Sequence, residues 1–390
     1  MNGLCLRGIT WNHSRAFPPL IAASQRYEEL HPQVHLEWEK RSLDDFGHAH
    51  LGELSRSYDL LVIDHPMLGE VHRDGTLLDL QPRLPTEAIA ELDADALGMC
   101  LESYRYEGCL YALPIDAAAP AASYRADLLE RGGHQVPACW DEVVKLARNG
   151  LVRMPGFPAD LFLNLMGMCV SRGSSVACGD HLFDRPITTR CLEELRELAS
   201  HMPETIYTMH PIALYEAMAI SNEFAYCPFA YTYSNYSRPG FAANPLTFAN
   251  PVALRDAAPL RTVLGGTGVA VSASCARKEE AIAFCLFVAG RDCQSHLYGV
   301  CGGQPASNTA WHNLLLNRIS GNFFERTLAS IESAYVRPRY PSYIALQKAA
   351  GGAIARFLQG EAAAVQTLEN LDNLYHQSLD VAQDEREVAQ

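Results

Sequence analysis

Trp11, Asn12 and His13 follow one another, an indole face, then an amide, then an imidazole. Such a run can stack on a flat polar molecule and hydrogen-bond its edge, the stacking adding about 0.5–1.5 kcal/mol beyond the buried area. Asp64 and His65 are adjacent, and Asp116 stands in an apolar stretch. A carboxylate accepts from two hydroxyls at once, which suits a sugar or polyol. Asn164 adds an amide, and Tyr231 and Tyr233 lie in the run YTYSNY. Alternating phenols there offer apolar bodies with polar tips. Gly266 and Thr267 fall in a glycine-rich run, where backbone can approach a neighbour closely. These are the candidate ligand-binding residues.

Each has a structural use as well. Asp64 and Asp160 can cap helices, Asp116 can rigidify a turn through a salt bridge, and the tyrosines can pack as a surface ribbon. Catalytic patterns are thin. The chain has no G-x-S-x-G, no H-E-x-x-H, no phosphate-binding loop and no G-x-G-x-x-G after a strand. His65 with Asp64 and Asp116 are the types for an acid–base set, but nothing in the sequence brings them within reach. His48 and His50 lack a carboxylate partner motif, so no metal is expected, and no cofactor.

Elements that would position these groups alternate along the first part of the chain. Strands are expected at Leu4–Thr10, Val34–Glu39 and Tyr58–Asp64, with helices at Pro18–His31 and Phe46–Arg56 between them. That order implies a parallel sheet with right-handed crossovers, whose ligands lie beyond the carboxyl ends of the strands. The rule selects Trp11–Ser14 and Asp64–Pro66. Further on, helices are expected at Asp160–Val170, Thr189–His201, Tyr215–Ile220 and Arg277–Gly290. Strands are expected at Phe224–Phe229 and Thr262–Ser272, and Tyr343–Gln377 reads as mostly helical.

With 390 residues the chain exceeds one ordinary core, and two domains are expected. Net charge is −14, from 31 Lys and Arg against 45 Asp and Glu. An acidic chain without a basic cluster is a poor nucleic-acid binder. No apolar run reaches the length of a membrane span. The twelve cysteines include no C-x-x-C pair, and several sit in apolar runs as small core residues would. Unpatterned thiols fit a reducing compartment, and Leu4–Trp11 already reads as a strand, where a leader would be basic and then apolar. A cytoplasmic location is therefore expected. The periplasm is the alternative, if a signal peptide has been removed.

Several segments resemble family 1 extracellular solute-binding proteins, the ligand-capturing components of ABC importers. The family's YGLP, YYNxDLFxxxG and P.TWDE steps have counterparts in YALP at 111–114, SYRADLLERGG at 123–133 and PACWDE at 137–142. YDLLVIDHPMLGEVHRDGTLLDL at 58–80 matches a D.V.VD.PW.GE…LLDL pattern. GGTGVAVSASCARKEEAIAFCLFVA at 265–289, GGQPASNTAW at 302–311 and RPRYPSY at 337–343 match later family segments in the same order. The resemblance covers about residues 4–375. It implies an α/β fold of the periplasmic-binding-protein type II class, a two-lobed clamshell with an interlobe cleft that closes on a carbohydrate or polyol-like ligand. One lobe would hold 1–115 and 268–305, the other 116–267 and 306–390. Crossings are expected near Leu113–Asp116, Gly265–Gly268 and Gly303–Ala306. The partner would be a small molecule, with an ABC permease as a second partner if the chain is exported. The alternative function is a cytoplasmic enzyme or metabolite sensor on the same fold, with His65 and Asp116 as its acid–base residues.

Overall fold

The computed structural model describes residues 4–43 and 51–388. His48, His50 and the first half of the helix expected over 46–56 lie outside them. The principal strands are β1 (Leu4–Trp11), β2 (Val34–Arg41), β3 (Leu60–Ile63), β4 (Leu113–Ala118), β5 (Pro120–Tyr124), β6 (Tyr226–Tyr231), β7 (Thr247–Ala249) and β8 (Gly265–Val271). The helices used below are α1 (Phe17–Leu30), α2 (Pro158–Ser171), α3 (Arg185–Ala199), α4 (Pro211–Ile220), α5 (Lys278–Ala289), α6 (Tyr343–Leu358) and α7 (Ala364–Val388).

The chain divides into two compact units. The first takes residues up to Ala118, Gly265–Glu325 and Arg339–Pro341. Its core is a five-stranded sheet in the order β2-β1-β3-β8-β4. β1 runs parallel to β2 and β3, whereas β8 is antiparallel to β3 and β4. The sheet is thus mixed, not parallel. The reason lies in the chain path: β4 carries the chain out of the unit at Ala118, and β8 brings it back at Gly265. All four residues of β3 are buried, as a strand covered on both faces must be. Proline at the second and third positions of α1 starts that helix where no amide donor is needed. Gly8 in β1 leaves room for the Trp38 indole, which lies where a Cβ would be and donates to Ser24 Oγ at 2.8 Å. On α5, Ala281, Phe284, Cys285 and Val288 are buried at helical spacing, and the helix packs against β8, β4 and α1.

The second unit takes Ala119–Leu264, Arg326–Pro338 and the residues from Ser342 onward. It holds a small antiparallel sheet, β6-β5-β7, whose register shifts between Cys227 and Ala230. Pro228 lies in that irregular stretch, where a residue without an amide donor is tolerated. Helices α2, α3, α6 and α7 pack together as its second layer. Arg125, only 1% exposed, grips both oxygens of Asp127 at 2.8 and 2.9 Å. It also donates to the carbonyls of Met218 and Ser221 at the end of α4. The SYRAD segment is therefore a clamp on orphan helix carbonyls.

The division differs from the expected one. Residues 306–325 belong to the first unit, and the third passage falls at Glu325–Arg326. GGQPA at 302–306 is no crossing. Ala117 and Gln304 exchange backbone and side-chain hydrogen bonds at 2.8 and 2.7 Å, which fixes that segment against β4.

Candidate functional site

In the first unit the carboxyl ends of β1 and β3 and the outgoing strand bring the expected residues together around one ion pair. Arg15 donates through Nε to Asp116 Oδ2 at 3.0 Å and through Nη2 to Oδ1 at 2.8 Å. Both side chains are almost wholly buried. Burial pushes the Asp116 carboxyl above its ordinary value, and the Arg15 charge and hydrogen bonds oppose that. The sequence reading gave Asp116 to the ligand's hydroxyls. Here a planar guanidinium fork takes both of its oxygens, so its role is to hold Arg15. Thr267 of β8 pairs with Asp116 in register and is buried, and Gly266 pairs with Ala117. Gly266 has φ +111°, and a Cβ there would collide with the Asp116 carbonyl.

Trp11 ends β1 and is 2% exposed. The face expected to stack on a ligand is covered within the chain. The His13 ring lies nearly parallel to it at 5.3 Å, and the Arg15 guanidinium carbon sits 5.2 Å from the ring centre. Asn12 is exposed, and its backbone continues the β1–β2 ladder to Arg41. His13 Nδ1 accepts from the Arg15 amide at 2.9 Å. Burial, and then the Arg15 charge, push its imidazole down to about 3. The ring is neutral at physiological pH, with Nδ1 as acceptor and Nε2 carrying the proton.

Asp64 caps the single turn after β3, accepting from the His65 amide at 2.8 Å. His65 is 1% exposed, 3.2 Å from Asp64 through Nδ1 and edge-on to Tyr104. It packs inside the first unit. With both oxygens of Asp116 held by Arg15, an acid–base set of His65 and Asp116 is not assembled.

The second unit brings another set together. Tyr231 ends β6 and is partly exposed, and Tyr233 is buried edge-on to Tyr215 at 6.1 Å. Tyr215 of α4 donates to the Ala230 carbonyl at 3.2 Å. Asn164 on α2 is 8% exposed, and its Nδ2 has no hydrogen-bond partner. One turn earlier on the same helix stands Asp160. It does not cap α2, which begins after Phe157 with no side-chain cap. Burial alone pushes its carboxyl up to about 7, and its electrostatic neighbours are Tyr215 and Cys227. The one-turn offset between Asp160 and Asn164 was legible in the sequence, and the burial of Asn164 was not. The isolation of Asp160 was not, because it depends on which side chains α4 and β6 present to it.

Among the described residues no group of three or more His, Cys, Asp or Glu is placed to hold a metal. Among the same residues no helix is long and apolar enough to cross a membrane.

No family model matches the chain, and no curated protein matches it by sequence. Solved structures match it from end to end. The maltose-bound MalE3 protein of T. maritima superposes with a TM-score of 0.82 at 17% identity, over 96% of this chain and 99% of that one. A solute-binding protein of an ABC transporter from Agrobacterium radiobacter, in complex with ribitol, gives 0.79 at 20% identity, over 97% and 99%. A substrate-binding protein from Listeria monocytogenes, in complex with cycloalternan, gives 0.81 at 13% identity, again over 97% and 99%. The chain has the fold of ABC-transporter solute-binding proteins.

Proposed function

We propose that this protein is a family 1 solute-binding protein that captures a small carbohydrate or polyol. The observation that carries the reading is the end-to-end likeness to structures solved with sugars and polyols, ribitol, tagatose and mannitol among them. The polar groups support it. His13 is a neutral donor in the first unit, and Asn164 offers an unused amide in the second. No observation favours the enzyme reading, since its proposed acid–base pair is taken up by Arg15 and Asp64.

A thermal-shift screen with sugars and sugar alcohols tests the function. A ligand at 100 times its Kd raises stability by about 2.7 kcal/mol. A protein unmoved by every sugar and polyol in the screen is not a carbohydrate-binding protein. The reading extends to a cytoplasmic protein with a small-molecule partner, on the argument from its cysteines given below. An ABC permease becomes a partner if the chain is exported.

A further inference from the structure

We propose that the first unit carries a second binding site, a preformed cavity that takes a small organic cation with an apolar body. The cavity has a volume of about 550 Å³, within the roughly 300–1,000 Å³ of small-molecule sites. One wall is a face of the helix Thr86–Asp95, where Ala88, Glu91, Leu92 and Asp95 stand at helical spacing. Another is the last turn of α5, with Leu286 and Phe287, and the turn Gly290–Cys293 that follows it. Leu101, Pro114, Ala306 and Ser307 complete the lining. All of these belong to the first unit, and none is among the candidate ligand residues gathered around Arg15 and Asp116. The walls are fastened to one another. Asp95 accepts from Ser307 Oγ and from the Thr309 amide, the latter at 2.9 Å, and the Leu97 amide donates to the Ala306 carbonyl at 3.2 Å. The space is therefore built into the fold and does not wait for a ligand to open it.

The lining decides what chemistry fits. Leu92, Leu286 and Phe287 are only partly buried, so the cavity wets apolar surface that an apolar ligand body would cover. Its charges have one sign in excess. Glu91, Asp95 and Asp292 line it against a single cation, Arg291, with no Lys or His. The Arg291 Nε lies 3.7 Å from Asp95 Oδ1, so that cation stands beside the acid that is already hydrogen-bonded. Glu91 and Asp292 are exposed and make no hydrogen bond or ion pair with any described residue. An ammonium group beside them is attracted without first displacing a partner, whereas a carboxylate is repelled. A sugar hydroxyl gains neither that attraction nor contact with the apolar wall, so this cavity selects a different ligand from the carbohydrate site.

Calorimetry on the full chain at neutral pH and low salt tests the site with phenethylamine, phenylpropylamine and tryptamine, each against its alcohol and its carboxylate counterpart. At least one amine is expected to bind with a Kd below about 1 mM and about fivefold or more tightly than its alcohol, the scale of two exposed acids in water. The carboxylate is expected to bind more weakly than either. Glu91→Gln/Asp292→Asn, at two exposed positions, should reduce the preference for the amine to less than about twofold. Ala88→Phe sets a ring into the cavity and should weaken amine and alcohol alike by about 10-fold. The double variant alters only exposed side chains, so a poorly folding A88F does not obscure the result. No amine binding below about 1 mM, equal binding of amine and alcohol, or a preference unchanged in the double variant overturns the inference. None of these outcomes touches the carbohydrate reading, which the sugar and polyol screen tests separately.

Discussion

At the scale of single residues, two acids with similar sequence surroundings come to opposite ends. Both oxygens of Asp116 are held by Arg15, and removing Asp116 takes from a buried guanidinium its bidentate partner. Breaking such a pair from one side costs about 3–5 kcal/mol. Asp116→Ala is therefore expected to lower the urea midpoint sharply, and the double variant Arg15→Met/Asp116→Leu to recover most of the loss. Equal stability of the wild type and Asp116→Ala would show that the pair is not buried as described. Asp160 has no such partner and should behave in reverse. A carboxyl whose folded value lies above its unfolded one holds its proton more tightly in the native state. Its cost to stability is thus absent below about pH 4 and grows as pH rises through about 7. Asp160→Asn should raise the Tm of the free protein by a few degrees at pH 8 and by almost nothing at pH 4. A gain equal at both pH values would mean that the carboxyl is not desolvated. The sequence displayed both acids and their neighbours along the chain. It could not show that Arg15, 101 positions away, ends against Asp116, because that contact is made by the sheet order.

At the scale of elements, most of the fold was legible. β1, β2, α1, α2 and α5 lie within a few residues of where periodicity put them, since each has one buried and one wetter face or is buried throughout. What periodicity could not show was strand direction. A run such as GGTGVAV is equally apolar parallel or antiparallel, and only the chain's exit along β4 and return along β8 decides. The third crossing was misplaced for a related reason. Glycines at 302 and 303 suggested a passage, but they serve a tight segment clamped to Ala117. Gly266 is where an element depends on one residue. The β4–β8 ladder slips between Thr267 and Gly268, opposite Pro114, which has no amide to donate. Gly266 reaches φ +111° beside that slip, and a Cβ there would run into the Asp116 carbonyl. Gly266→Ala meets both a conformational penalty and a backbone clash, so a loss of about 2 kcal/mol or more is expected in denaturant unfolding. Gly75, also at positive φ but with nothing within 4 Å of a Cβ, is the control. Gly75→Ala should cost about 1–2 kcal/mol at most, and a loss as large as that of Gly266→Ala would remove the argument from the β4–β8 ladder.

At the scale of the whole molecule, the cysteines are the feature on which the proposal of a cytoplasmic location rests. All twelve are free thiols. Seven are buried, spread over both units, and among them Cys100, Cys227, Cys275, Cys285 and Cys293 are poor thiolates because burial disfavours their charged form. Those are core residues, inert in any compartment. Cys5, Cys139 and Cys178 are different, because they are exposed. In an oxidising space three exposed unpaired thiols invite cross-linking between copies, whereas in a reducing one they are harmless. The expected result is therefore recovery of the native protein in the cytoplasmic fraction. Titration with a thiol reagent should then find fast reaction at the three exposed positions and all twelve thiols after denaturation without reductant. The rival outcome has a specific place to occur. Cys169 on α2 and Cys191 on α3 are each other's electrostatic neighbours, and Arg172 donates to the Cys191 sulfur at 3.2 Å, which favours its thiolate. A denatured protein with two thiols fewer, restored by Cys191→Ser to a full count of the remainder, would place a disulfide there. Together with periplasmic recovery, that result would overturn the cytoplasmic assignment and make an ABC permease the expected second partner.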